Sequence, residues 1–347
     1  MQDEFLLPPA TATATVLERP VLRLGLVGFE PHQREAVRQG LRSRAANASP
    51  RASVVWELTP REEADAWWVQ GPSARGRGDG SIEVRQDGGS LRFFPSEVAR
   101  PIAWSLPVSG AISADVLFDA GSAGSVEGTL LRFEQALRPL TVQLCLASQL
   151  LQREGELGGR IYHVHSRSRV LAMVDLRGDA AVRPSATLRE LAGAQWSARP
   201  APAAFFPEEF VRTSMSLLMW QYATRTHENL LPHRYRLGPI YLRRAPRLPQ
   251  RLLKDTHLLL LRQLAARPRT FAELQEETGL APPVLSHELA ALYLVGAITS
   301  NARRARALGE SAFQPDAPSV SPSGLGVLES QPAAQVAAST SSRALTQ

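Results

Sequence analysis

Residues 249–300 read PQRLLKDTHLLLLRQLAARPRTFAELQEETGLAPPVLSHELAALYLVGAITS, and this stretch decides how the C-terminal third of the chain folds. Leu253, Leu260, Leu261 and Leu264 recur at i, i+7, i+8 and i+11, which predicts a buried helix face over 252–264. Thr270 followed by Phe271-Ala272-Glu273 is a capping box, in which hydroxyl and carboxylate satisfy the free N–H groups of a second helix start. Gly279 suits the left-handed residue that ends that helix. Pro282-Pro283 suit the first turn of a third, because the first turn has no use for their missing N–H. Leu285, Leu289, Leu292 and Gly296 mark the inner side of the third helix, and Ala297-Ile298-Thr299 predicts a strand after it.

Three helices and a strand at this spacing resemble a winged helix-turn-helix, which implies regulation rather than catalysis. If Leu285, Leu289 and Leu292 face inward, helical geometry turns Pro283, His287, Ala290, Ala291 and Leu294 outward. None of these is arginine, asparagine or glutamine, the side chains that read base edges in bidentate patterns. The sequence therefore predicts a protein-contact face at His287, Ala290, Ala291 and Leu294, against another protein or a second copy of the chain. A DNA-binding transcriptional regulator is the rival reading, and charge supports it. Residues 243–306 carry eleven basic and five acidic side chains, a net +6 that equals the formal charge of the whole protein. Arg243, Arg244, Arg247, Arg251, Arg303, Arg304 and Arg306 are the candidate contacts to phosphate or, non-specifically, to nucleic acid. Lys254 is the only lysine, so arginine also serves this chain as its general solubilising cation.

At 347 residues and 44% apolar content, the chain can bury more than one core, and it reads as a multidomain α/β and α+β protein. The expected divisions are a tail at 1–18, an α/β unit at 19–110, an α+β unit with a leading helix at 126–245, the winged helix at 246–306 and a tail at 307–347. Both tails are rich in Ala and Pro with Thr or Ser, the composition of disordered segments. Cys145 is the only cysteine, which rules out an intrachain disulfide and a cysteine-based zinc site. No run approaches 18 apolar residues and no signal-peptide pattern opens the chain, so no membrane role and a cytoplasmic location are expected.

The first unit opens with a nearly continuous apolar strand, Val21 to Phe29. A helix from Pro31 to Ala46, a strand from Ser53 to Leu58, a short helix from Pro60 to Ala64 and a strand over Ala66-Trp67-Trp68-Val69 follow it. That β-α-β-α-β order predicts a parallel sheet with flanking helices. Residues 21–71 resemble, by pattern, the receiver domain of bacterial response regulators. The resemblance implies acidic residues after the first strand, a phosphate-accepting aspartate at the end of the third, and a later lysine. This chain has Gly28-Phe29-Glu30-Pro31-His32, Val69-Gln70-Gly71 and no lysine before Lys254, although Arg100-Pro101 stands about where a receiver has Lys-Pro. A β-hairpin predicted over Ile82–Arg85 and Leu91–Phe94 is also foreign to receivers. Phosphotransfer is therefore not expected.

Val126 to Arg153 is helical in pattern and divided at Pro139, strands are expected at 160–164, 169–176 and 180–182, and Pro207 to Thr226 reads as a strong helix. His163 and His165 point the same way on a strand, as two metal ligands could, but no third ligand accompanies them. Asp175 and Asp179 flank Gly178 in a turn. With no nucleophile elbow, phosphate loop or metal-binding helix, neither an enzyme nor a cofactor is expected. A third reading remains, a nucleotide-responsive effector, because Arg243, Arg244, Arg247 and Arg251 place four guanidinium forks at the entry to the winged helix. Arg247 and Arg251 have the spacing of the Arg-x-x-x-Arg element of PilZ-type cyclic dinucleotide receptors, which their resemblance alone would make phosphate ligands. The Asp-x-Ser-x-x-Gly sequence of those receptors is not evident here.

Overall fold

The computed structural model describes residues 18–47, 54–86, 88–108, 112, 115–158, 161–199 and 206–309. The expected tails lie outside these residues, apart from Glu18 and the helical backbone at 307–309. The N-terminal unit runs β1 (Val21–Val27), α1 (Pro31–Asn47), β2 (Val55–Leu58), β3 (Ala66–Gln70), β4 (Ala74–Gly76), β5 (Ile82–Gln86), β6 (Gly89–Phe93), β7 (Ile102–Ser105), β8 (Leu117–Phe118) and α2 (Ala123–Ala136). Five strands form an all-parallel sheet in the order β2-β1-β3-β7-β8. Among the described residues, helices cover one face only. There α1 and α2 close over Leu22, Leu24, Trp68, Phe118, Leu130 and Phe133. The antiparallel β4-β5-β6 meander covers the other, where helices were expected, because Trp67 and Trp104 need broad partners. Phe93 supplies one, meeting Trp67 edge-on at 5.5 Å and stacking on Trp104 at 6.2 Å. The segment 60–64 is a single 3-10 turn over Arg61–Glu63.

The second unit begins with α3 (Arg138–Gln152), separated from α2 where Pro139 enters the first turn, as the pattern predicted. It continues through β9 (Ile161–Ser166), β10 (Arg169–Asp175), β11 (Asp179–Val182), α4 (Leu188–Ala192), β12 (Gln195–Arg199), β13 (Val211–Ser214) and α5 (Met215–Ala223). The antiparallel sheet has the order β12-β9-β10-β11-β13. Residues 141–150 of α3 are all buried, packed with Leu171, Val174, Leu218 and Tyr222. Its buried Gln149 is satisfied, donating to Leu191 O at 2.7 Å and accepting from the Trp196 indole at 3.2 Å. Burial pushes the Cys145 thiol up to about 12, so it packs as an apolar side chain. The helix expected over 207–226 is a strand followed by a shorter helix. Val211 and Thr213 are β-branched and pair with β11, and Ser214 then caps α5 by accepting from Leu217 N–H at 3.1 Å.

The third unit comprises α6 (Arg234–Leu237), β14 (Tyr241–Leu242), α7 (Asp255–Ala266), α8 (Phe271–Thr278), α9 (Pro282–Leu294), β15 (Ile298–Thr299) and α10 (Ala302–Gly309). The strand after the third helix forms as predicted, but its partner is β14, from before the motif. Ile240 beside β14 also bridges to Arg269 between α7 and α8. The end of α5 ties the units together. Arg225 bonds Asp65 at 2.7 Å with both side chains only 9% exposed, Arg23 donates to Thr224 O, and Lys254 meets Glu63 at 3.1 Å. Glu18 accepts hydrogen bonds from Tyr222 and Thr226, each at 2.6 Å.

Candidate nucleic-acid interface

The helix starts and stops of the motif form from the residues that predicted them. Thr270 Oγ1 accepts from Glu273 N–H at 3.2 Å, while the Glu273 carboxylate accepts from Thr270 N–H at 2.7 Å. Gly279 ends α8 at φ +67°, and Pro282 and Pro283 fill the first turn of α9. Leu260 and Leu264 of α7, Leu274 of α8 and Leu285, Leu289 and Leu292 of α9 are buried together. Leu253 precedes α7, and His257, fully buried, takes the place that spacing had given to leucine.

The outer face of α9 departs from expectation. Ala290 is 3% exposed and Ala291 is 0%, and both belong to a cluster that includes Trp220 and Ala223 of α5. His287 and Leu294 are half-buried, and Leu294 packs against both this core and that of the second unit. Helix α9 thus lies on α5, and the surface assigned to an outside partner is occupied within the chain. Val284, Pro283 and Pro282 at its start are exposed, and none carries a base-reading group. A signal for this was present, since the second half of α9, from Leu289 to Leu294, is apolar on every side, the mark of a buried helix.

Two titratable groups sit where α9 meets its neighbours. Burial lowers the His287 imidazole below its ordinary 6.5, opposed by Glu288 and the Thr224 backbone and reinforced by Arg23 and Lys254. For Glu288, burial acts upward, but a hydrogen bond from His257 and the charges of His257, Lys254 and His287 outweigh it and lower the carboxyl. In both cases the folded chain holds its proton less tightly than the unfolded chain. The His287 contribution is complete above pH 6.5 and is lost as pH falls toward its folded value. That of Glu288 is lost at still lower pH. The thermal midpoint should therefore fall between about pH 7.5 and 5.5, and His287→Gln should flatten that fall. A midpoint that holds or rises over this interval would contradict the assignment.

The candidate cations separate into groups. Arg267 pairs with Glu273 at 3.3 Å and Arg269 with Glu277 at 2.5 Å, so both serve the motif's own stability. Arg243, Arg244, Arg247 and Arg304 converge on one cleft beside the C-terminal end of α9. Arg251 and Arg303 are exposed and line no part of it, and the Arg306 side chain lies outside the described residues. The four-arginine site at 243–251 therefore loses Arg251 and gains Arg304 from α10. In the second unit His165 bonds Ser197 Oγ at 2.8 Å and Arg167 O at 3.3 Å, which occupies both ring nitrogens. Asp175 accepts from Arg177 N–H at 3.0 Å in the turn before β11. Among the described residues, no group of three or more His, Cys, Asp or Glu could hold a metal ion.

At the C-terminal edge of the parallel sheet, Gln70 donates to Gln33 Oε1 at 2.9 Å and Gly71 N–H to Ser105 Oγ at 3.2 Å. Arg100 lies at the opposite edge. It donates to Arg61 O at 2.9 Å and stacks over Trp67 at 5.1 Å, so it does not occupy the place of a receiver's lysine. No helix among the described residues is long and apolar enough to cross a membrane. Neither a curated protein nor a solved structure matches the chain. The family described as bacterial regulatory protein, arsR family, does match residues 254–300, the span from the start of α7 to the end of β15, and over that span the chain is similar to a winged helix-turn-helix regulator.

Proposed function

We propose that the chain is a non-catalytic, DNA-binding regulatory protein whose winged helix supplies the duplex contact. The observation that carries this reading is the match to the arsR family over the residues that fold as α7, α8, α9 and β15. The net +6 of residues 243–306 supports it by favouring phosphate. The receiver-like reading of the N-terminal unit draws support from strand order alone: counted along the chain, the five parallel strands run 2-1-3-4-5, an order found in doubly wound sheets. We read it as a scaffold without a phosphate acceptor. A protein partner at the outer face of α9 is not favoured, because α5 already covers it.

With α9 docked on α5, the duplex meets exposed arginines rather than an inserted helix. Full-length protein should bind duplex DNA weakly, with little sequence preference and with an affinity that falls steeply as salt rises. Anisotropy titrations of labelled duplexes at several salt concentrations measure this. No binding even at about 50 mM salt would overturn the DNA reading. Tight, sequence-selective binding with the α5 amides still protected from exchange would overturn the docked arrangement instead.

A further inference from the structure

The cleft beside the C-terminal end of α9 has a volume of about 1130 Å³ and is lined by Arg177, Arg234, Arg243, Arg244, Arg247 and Arg304. Two acids, Glu154 and Asp179, also reach it, yet none of the six arginines forms an ion pair among the described residues. Other arginines of the chain do find carboxylates, as Arg44 does with Glu127 and Glu134. Gly296 lies beneath two of these arginines. It turns at φ +69°, and a Cβ there would stand 3.2 Å from one Arg244 Nη and 3.7 Å from one Arg243 Nη, so two guanidiniums lie over the end of the helix. Arg244 donates to Val295 O at 3.4 Å, while its Nε is buried with no partner. Burial, then Arg243 and Arg247, push the Arg244 guanidinium below its ordinary value, the direction expected of like charges held together without a counterion. Only Arg243 and Arg244 are partly buried and the other four arginines are exposed, so the cluster stands open to a soluble anion that can bridge several forks at once.

The rest of the cleft says what sort of anion. Met215, Met219 and Leu294 give it an apolar inner wall between the two units, which a flat ring could fill and a duplex, with its phosphates on a convex surface, could not reach. We propose that this cleft binds a phosphorylated small molecule of the nucleotide class, its phosphates held by Arg243, Arg244, Arg247 and Arg304 and its ring against Met215, Met219 and Leu294. Guanidinium forks match phosphate oxygens in pairs, and the apolar wall adds what inorganic phosphate lacks. Arg177 comes from the β10–β11 turn and the others from the winged-helix side, so the ligand bridges the units and strengthens the docking of α9 on α5. This site does not depend on the DNA reading.

The test uses the full chain, with ATP, GTP and inorganic triphosphate as probes in calorimetry and thermal unfolding. At least one nucleotide should bind saturably, more tightly than triphosphate, and raise the thermal midpoint. Arg247→Gln and Arg304→Gln, both at exposed positions, should each weaken binding about tenfold while leaving the ligand-free midpoint unchanged. Arg251→Gln, outside the cleft, should change it less than about twofold. Absence of saturable binding by all three probes at millimolar concentration would overturn the proposal. So would an equal loss in Arg251→Gln, which would mean diffuse surface attraction. Loss of duplex affinity in Arg247→Gln and Arg304→Gln without nucleotide binding would reassign these arginines to the DNA backbone.

Discussion

Asp65→Ala should lower the unfolding free energy of the full chain by about 3–5 kcal/mol, the range for removing one partner of a buried ion pair. Asp65 and Arg225 are each 9% exposed and 2.7 Å apart, and Asp65 also accepts the backbone N–H of Arg23 at 2.8 Å. Without it, the Arg23 and Arg225 guanidiniums repel one another, with Glu63, 3.5 Å from Arg23, as the nearest counterion. The joint between the parallel sheet and the end of α5 then opens first. The double variant Asp65→Leu/Arg225→Met should recover much of the loss, since a buried pair replaced by apolar groups is often neutral. Urea unfolding measures both, and a single-variant loss under about 1 kcal/mol would contradict this account.

Ala291→Glu should cost a similar amount, because it puts an unpaired carboxylate into the fully buried cluster where α9 meets α5. Leu294→Glu should cost less. Leu294 is half-buried at the edge of the cleft, where Arg243, Arg244 and Arg247 can meet a new carboxylate. Equal destabilisation by the two substitutions would mean that those arginines are not free to respond.

The pattern of what could be read beforehand follows from how far each signal reaches along the chain. Thr270 with Glu273, Gly279, Pro282-Pro283 and Pro139 act within a turn of themselves, and each helix boundary they imply is present. The role of Ala290 and Ala291 depends on α5, some seventy residues earlier, and an alanine carries no mark of which neighbour covers it. Val211 and Thr213 lay inside a convincing helical pattern, but the open edge of β11 drew them into the sheet. The Asp65–Arg225 pair spans 160 positions and has no local trace. The arginine grouping was half legible. Arg243, Arg244, Arg247 and Arg304 were all candidates in the sequence, but only folding brings Arg304 to the first three and adds Arg177, while Arg251, equally dense in sequence, lines no part of the cleft.

The pairing of β15 with β14 bears on heredity and portability. The recognisable motif spans 254–300, yet the strand that closes its small sheet comes from Tyr241–Leu242, and Arg243 N–H donates to Ala297 O at 2.7 Å. A segment cut at the motif's own borders would keep three helices and expose the unsatisfied backbone of β15. In this chain the motif is therefore not a self-contained cassette: any excised piece that keeps its small sheet closed has to begin before Tyr241, and it carries Arg243, Arg244 and Arg247 along.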